Sequence, residues 1–551
     1  MEKRTLLAFV LSFAVLIGWM VFFSPKQNQP SNNETPPEEK SGILNQQDTA
    51  IPHIAPSEAQ KKPDPASSPM VEEKIIKVDT PLYTAFISNA GPVLKSFRLK
   101  QYRKTKEPDS PLIELVCLEE DMGDFLFIGF DNIATPEIDK ITYQTDLDSI
   151  TLRPDSPYRD LVFRASDPNG LSIIQTFRFC PDTYSIDLDI EIINQSQEPL
   201  KGNFRADLKA LPPQKKGYYS YVGLAMFLDG KLKEVKIKKT SDEKNFMGMI
   251  DWVAYEDDYF ISGVIPETRS KGIFEGRLCA SGLLEGTYIP QTLTLTPFER
   301  SSTRFTLYFG PRDLGILKEL GKTLDKAVDF GWTDIIARPL LYTLRFFNQY
   351  IHNYGFSIIL LTMLIKMIFW PLTHKSYKSM KEMQKLQPRM AKIREKHKNN
   401  KEQINREMMA LYKTYKVNPM SGCLPMIIQI PVFFALFRIL GSAIELRQAP
   451  FMLWITDLSA PDRLFSFPFS IPFMEPPYGI PVLTLLMGGS MFIQQKMTPT
   501  PGDPTQAKLM MFLPVIFTFM FINFPSGLVL YWLVNNILSI GQQYRINKKP
   551  A

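Results

Sequence analysis

Ile358-Ile359-Leu360-Leu361-Thr362-Met363-Leu364-Ile365-Lys366-Met367-Ile368-Phe369-Trp370 is an apolar run with one full charge inside it. Extended to Gly355 and Leu372, it reaches about 27 Å as a helix, close to the roughly 30 Å hydrocarbon core of a bilayer. A lysine near the middle of such a span costs about 2.5–3.5 kcal/mol on insertion scales, so Lys366 is expected to face water or a partner. Thr362, four residues earlier, shares its helical face. The alternative is snorkelling: Lys366 lies one turn from Trp370, within reach of the interface. No acid inside any apolar run is there to pair with it.

Working outward, four more apolar runs follow: Cys423 to Ala443, about Gly479 to Gln495, about Leu509 to Phe524, and Leu528 to about Ile540. Several are shorter than the ~20 residues that span comfortably, which implies local thinning or a partly wet helix. Phe524-Pro525-Ser526-Gly527 is a turn signal that makes a hairpin of the last two. At the other end of the chain Lys3 and Arg4 precede an apolar stretch, Leu6 to Phe23. It is longer than a signal-peptide core, and Phe22-Phe23-Ser24-Pro25 offers no small-residue cleavage site, so an uncleaved helix is expected over a signal peptide. That makes six spans. Between Trp370 and Asn418 thirteen Lys/Arg stand against four Glu, and Arg545, Lys548 and Lys549 follow the last span. Both places are therefore expected in the cytoplasm. The basic loop reads as two helices, His374 to Lys398 and Lys401 to Lys416, with methionines among their apolar points. Its charge suits anionic phospholipid, ribosomal RNA or an emerging chain, or it serves only to set topology.

The remaining half is different in kind, which is why the mean hydropathy is a bland -0.10. Residues 25–70 are rich in Pro, Ser, Asn, Gln and charge and read as a tether. From Val71 to about Phe309 the signal is β: Tyr184-Ser185-Ile186-Asp187-Leu188-Asp189-Ile190 alternates apolar and polar with period two. Many such segments separated by Asn, Gly, Pro and Asp predict a large antiparallel β-sandwich. Asp313 to Phe330 reads helical, with Leu317, Leu320, Leu324 and Val328 on one face. Trp332 to Asn353 is amphipathic and aromatic, and its Arg338 and Arg345 suit a helix lying in the membrane interface or, alternatively, packed on the β domain. The expected architecture is thus an α-helical membrane bundle plus a periplasmic β-sandwich. Its parts are a first span at 1–24, a tether at 25–70, a β domain at 71–312 and a connector at 313–353. A five-span core at 354–545, with its cytoplasmic hairpin at 373–418, and a tail at 546–551 complete it.

Polar residues recur in the spans. Gln429 and Phe433 form an i,i+4 pair, Gln494 and Gln495 end the fourth span, and Trp532, Asn535, Asn536, Ser539 and Gln542 repeat every three or four residues. Hydrogen bonding between helices explains some of these; a wet, positively charged groove built around Lys366 explains them together. A net charge of +6 is weak evidence for nucleic acid. The four cysteines and four histidines have no metal-ligand spacing, and each cysteine is expected to be structurally buried. There is no GxxxxGK[ST], GxSxG or HExxH, so no cofactor, metal or hydrolytic nucleophile is expected. Without paired broken helices or an intramembrane acid, a solute transporter is the weaker alternative; a β-domain scaffold merely anchored by its spans is another.

Several short motifs narrow the choice. Gly355-Phe356-Ser357-Ile358-Ile359, Pro371-Leu372-Thr373, Met408-Met409-Ala410-Leu411-Tyr412-Lys413, Val417-Asn418-Pro419, Gly422-Cys423-Leu424-Pro425, Glu445-Leu446-Arg447-Gln448-Ala449-Pro450 and Phe524-Pro525-Ser526-Gly527-Leu528-Val529-Leu530-Tyr531-Trp532 occur in order. In combination they resemble the YidC/Oxa/Alb insertase family, and the first span, tether and long β region taken together resemble its Gram-negative branch. The resemblance implies an inner-membrane insertase and chaperone for nascent membrane proteins, working alone or with the Sec translocon. It also implies a β-supersandwich domain, a groove open to cytoplasm and lipid, and contact of the basic hairpin with ribosome and signal recognition machinery. Lys366 stands where the family usually has arginine, keeping the charge but losing the planar fork of donors. Thr362 and Phe433 match client-contacting positions, and Trp532 stands where relatives often carry tyrosine. Gln429, Gln494 and Asn535 complete the expected groove.

Overall fold

The computed structural model describes residues 73–116, 125–132, 142–167, 170–212, 221–237, 239–240, 242–290, 292–397, 400–415, 417, 424–498 and 504–548. The expected first span and tether, Cys117, Asn418, Pro419, Gly422 and Cys423 lie outside them. Between Ile75 and Pro311 the described residues form eighteen strands joined in one continuous hydrogen-bonded sheet. The alternation that predicted a strand is realised in Ser185–Asn194, where Ile186, Leu188, Ile190 and Ile192 are buried and the residues between them half-exposed. That strand pairs antiparallel with Leu171–Phe179 on one edge and with Arg300–Pro311 on the other. One pairing departs from the antiparallel expectation: Ile75–Asp79 runs parallel to Ser149–Thr151. Its other edge is taken by the antiparallel strand Tyr83–Ser88. Cys180 and Cys279 are free and only half-buried, contrary to the expectation of buried thiols; Cys279 sits at a strand end, its Sγ 3.4 Å from Glu285.

The helical region begins at α1 (Leu314–Leu320), capped by Asp313, whose carboxylate accepts from the Gly315 and Ile316 amides. The helix expected to run on to Phe330 stops here. Gly321, Lys322 and Thr323 all take positive φ, a conformation that ends a right-handed helix, and a 3-10 turn at Leu324–Ala327 resumes the apolar face. Then come α2 (Asp334–Ile351), α3 (Tyr354–Lys396), α4 (Lys401–Thr414), α5 (Leu424–Ser442), α6 (Val482–Met497), α7 (Pro504–Phe521) and α8 (Ser526–Lys548). The expected second span and first hairpin helix are one element, since α3 continues unbroken through Pro371 and Pro388. Helices α3, α5, α6, α7 and α8 coincide with the five apolar runs. By length and composition α3 is able to cross a bilayer, and shorter apolar segments fill Ile427–Ser442 and Met510–Phe521.

On α2 one face buries Ala337, Leu341 and Leu344, while Ile335, Tyr342, Phe346 and Tyr350 are exposed. Its arginines are structural partners. Arg338 pairs with Asp334 and donates to the Val328 carbonyl. Arg345 bridges the α1 cap, Asp313, to Glu445 beyond the end of α5. The Glu445–Pro450 motif also holds the β domain. Arg447 and Gln448 donate to the Arg103 and Lys104 carbonyls, and the Arg447 guanidinium lies 5.7 Å over Tyr259 and 5.6 Å over Phe260.

At the junction of β domain and connector, Glu256 is buried with Arg312 Nη2 3.7 Å from its Oε2. The guanidinium is shared with the Asp257 and Ala327 carbonyls, which ties strand, loop and 3-10 turn together. Burial pushes the Glu256 carboxyl up to about 7, with Arg312 drawing it part-way down and Glu234, Asp257 and Asp329 opposing. A carboxyl whose pKa is raised on folding stabilises most while it is protonated in both states, below about 4.5. That contribution, about 3 kcal/mol, is lost as pH rises towards 7 and is level above it. Glu256→Gln is expected to flatten this slope: the β-domain Tm should fall by several degrees between pH 5 and pH 8 in the parent and by clearly less in the variant.

Candidate functional site

The candidate site is organised around α8, whose polar residues point in two directions. Toward α3, Lys366 Nζ donates to Ser539 Oγ at 2.5 Å, and Ser539 Oγ donates in turn to the Asn535 carbonyl at 2.7 Å. One step further along, Gln542 and Thr373 are hydrogen-bonded at 3.0 Å, and Lys381 Nζ reaches the Ile546 carbonyl at 3.0 Å. Toward α6, Asn536 Nδ2 donates to Ser490 Oγ at 2.9 Å and Gln543 Nε2 to the Met497 carbonyl at 2.7 Å. Helical periodicity makes this unavoidable, since neighbours Asn535 and Asn536 differ by about 100° around the axis. The single stripe read from the sequence is therefore two seams.

These pairs also set directions. Residue numbers rise together along α3 and α8 and along α6 and α8, so these three helices run parallel. Against α5 they run opposite: Gln429 meets Tyr531 at 3.1 Å, whereas Gly527 packs on Leu440. Helix α7 is antiparallel to α8 through the Phe524–Gly527 turn. Directions thus alternate through α3, α5, α6, α7 and α8. The basic stretch of α3 and the basic end of α8 fall at the same end of the bundle.

Lys366 is only 8% exposed although it lies among apolar neighbours. Thr362 is buried beside it and returns its hydroxyl to the Ile358 carbonyl at 2.6 Å, the usual way a helical threonine satisfies itself in an apolar setting. Phe433 and Trp532 do meet, edge to face with ring centroids 5.0 Å apart, and Phe521 closes the cluster at 5.8 and 5.1 Å. Gln494 is half-buried on α6; its backbone carbonyl accepts from Thr498 Oγ1, and among the described residues no side-chain hydrogen bond links it to the other six. Sequence reasoning missed Ser490, Thr373 and Tyr531 as partners. The Gly488-Gly489-Ser490 step was the available signal, because small residues mark close helix contacts. An added Cβ on Gly488 would lie 2.1 Å from Thr518 Oγ1.

Outward-facing surface is the counterpart of these seams. Phe356, Met367 and Ile368 on α3, Leu485, Leu486 and Ile493 on α6, and Phe512, Ile516 and Phe519 on α7 are all exposed. Apolar exposure on this scale marks a surface made for lipid or protein contact. An apolar bundle with buried polar seams and one buried ammonium, joined to a large β domain, matches two family models. Residues 346–551 match the 60Kd inner membrane protein model, and residues 75–343 match the YidC periplasmic domain. Full-length relatives agree. A membrane protein insertase YidC of Syntrophobacter fumaroxidans is 41% identical, covering 100% of both chains.

The chain belongs to the YidC insertase family.

Relatives of the same name from Syntrophus aciditrophicus, 42% identical over 100% of both chains, and Pelobacter propionicus, 40% identical over 100% of this chain and 99% of the relative, match as completely. A solved active YidC insertase with its first transmembrane domain resolved aligns over 86% of this chain and 93% of its own at 19% identity and a TM-score of 0.38. The β-rich region is thus a YidC periplasmic domain and the helical region the family's C-terminal part. Within it, Gly488→Ala should push α6 from α7 and cost about 1–3 kcal/mol. A lower Tm in detergent, partly restored by adding Thr518→Ala, is the expected result; an unchanged Tm would mean the contact relaxes freely.

Proposed function

We propose that this chain is a membrane protein insertase of the bacterial inner membrane, with six spans, five of them in the core. Both termini would be cytoplasmic and the β domain periplasmic. The alternating helix directions and the shared basic end of α3 and α8 support that topology, because positive loops stay on the cytoplasmic side. The observation that carries the reading is a buried lysine whose hydrogen-bond partner, Ser539, is neutral. A carboxylate partner would cancel the charge; a hydroxyl leaves it available to a client.

The mechanism we infer begins with a short polar segment of a nascent membrane protein entering beside α3 and α8. Lys366 attracts it when it is acidic, and Thr362, Gln429, Gln494 and Asn535 offer polar atoms that replace lost water. Both effects lower the cost of taking polar groups into low dielectric. Thr484 Oγ1, Gln495 Nε2 and Gln543 Oε1, buried without partners of their own, add spare hydrogen-bonding capacity on the α6–α8 side. Phe433 and Trp532 present aromatic faces to the client's apolar residues. Its hydrophobic helix then moves along the lipid-exposed side chains of the bundle into the bilayer, and burial of that helix drives the process. On this reading the basic hairpin of α3 and α4 meets the ribosome, signal recognition machinery or anionic phospholipid, and the core cooperates with the Sec translocon for larger clients.

The test is insertion of a small client with an acidic translocated tail into liposomes holding the purified protein, scored by protease protection. Lys366→Ala is expected to reduce protection roughly tenfold, the equivalent of ~1.4 kcal/mol, and Lys366→Arg to retain it. Equal loss for a client with a neutral tail would remove the attraction step, and full activity of Lys366→Ala would remove the charged site altogether.

A further inference from the structure

We infer that the loop between α5 and α6 carries a membrane anchor, an aromatic hairpin whose phenylalanines lie in the headgroup–acyl boundary of the outer leaflet. The inference rests on the proposed span topology, which puts the end of α5 and the start of α6 at the outer face.

From Leu464 to Pro481 the sequence holds Phe465, Phe467, Phe469, Phe473 and Tyr478, with Glu475 its only charge. Strands Leu464–Phe467 and Tyr478–Ile480 pair to form the hairpin. Phe465, Phe469 and Phe473 are 68%, 60% and 84% exposed, and Phe467 stacks on Phe469 with centroids 5.3 Å apart. Phe465 and Phe473 have φ of 60° and 64°, a left-handed backbone that bulky side chains rarely adopt. In water the three exposed rings gain nothing from their exposure, whereas in the boundary each is buried against acyl chains.

The backbone is also suited to such a place. Pro468, Pro472, Pro476 and Pro477 carry no amide hydrogen, which leaves fewer donors unpaired where water is scarce. The loop is held at a fixed level. Arg463 donates to the Pro477 and Ile522 carbonyls at 2.8 Å, and Asn523 donates to the Phe473 carbonyl at 3.0 Å while accepting from the Glu475 amide at 2.9 Å. Ile522 and Asn523 belong to the α7–α8 turn, so the hairpin is bound to the outer end of α7, whose Phe512, Ile516 and Phe519 are exposed. A proline-spaced aromatic loop with a single charge fits the lipid boundary, where aromatic side chains concentrate, better than it fits a polar partner.

The test uses the full-length protein, with its four native cysteines replaced by serine, in phosphatidylethanolamine–phosphatidylglycerol vesicles free of other proteins. An environment-sensitive fluorophore is attached at Phe469→Cys or Phe473→Cys. Phe519→Cys on α7 reports the span itself, and Met247→Cys, exposed on the β domain, reports water. Nitroxide lipids labelled near the headgroup should quench the hairpin probes, and iodide on both sides should quench them several-fold less than the Met247 probe. Hairpin probes as open to iodide as Met247, with Phe519 quenched by lipid, would overturn the anchor while leaving the spans intact; the loop would then be a surface for a protein partner. A Phe519 probe untouched by nitroxide lipid would overturn the span topology and the anchor with it.

Discussion

Lys366 must give up water to sit where it does, and that requirement decides how the helical region is arranged. An ammonium among apolar side chains is tolerated only when polar atoms surround it, and the ones supplied come from α8. Ser539 has to lie opposite Lys366, which places α8 beside α3 in parallel. Three helices then have to intervene with alternating direction. The second seam follows from the same helix: with one face of α8 committed to α3, Asn536 and Gln543 are turned toward α6. Hydrogen bonds between apolar helices are individually modest, of order 1 kcal/mol. Their value here is in register, since a slip of one residue would strand each polar group against hydrocarbon.

The same economy of contacts joins the two halves of the molecule. Glu445 takes Arg345 from α2, while Arg447 and Gln448 take backbone carbonyls of the β domain. One short motif just beyond the C-terminal end of α5 therefore couples the connector, the β domain and the bundle. Gly355 shows how tight the joint is, because a side chain there would collide with the ring of Phe451.

Much of this was legible in the sequence because the signals are periodic. The strand Ser185–Asn194 alternates and buries as its pattern requires, and five apolar runs became five helices. What was not legible depends on geometry that periodicity does not carry. The change from an apolar run ending at Leu372 to a basic stretch from His374 read as two elements, yet α3 runs on through both and through Pro371, because one lost hydrogen bond is a small fraction of a 43-residue helix. The helix expected over Asp313 to Phe330 has the right apolar spacing, but three successive positive φ values break it, two of them on non-glycine residues that no propensity scale would flag. At the site, residue types were readable and partnerships were not: Lys366 and Asn535 were singled out, but that Ser539 mediates between them, or that Asn536 faces Ser490, depends on the rotation of α8.

That rotation bears on why the site carries lysine with a hydroxyl beside it. Two unit charges 4 Å apart attract by about 4 kcal/mol at the effective dielectric of a partly wet site. An acid on α8 would take that energy into the resting fold and leave a neutral pair with little field beyond it. Serine satisfies one of the three ammonium donors and neutralises nothing. On the proposed mechanism the positive potential remains directed at the client that enters, and its range is long because few ions screen it there. A site built this way cannot be selective for sequence. It discriminates only by sign of charge and by the client's need for polar company, which is the discrimination required of a protein that must accept many different chains and release each into lipid.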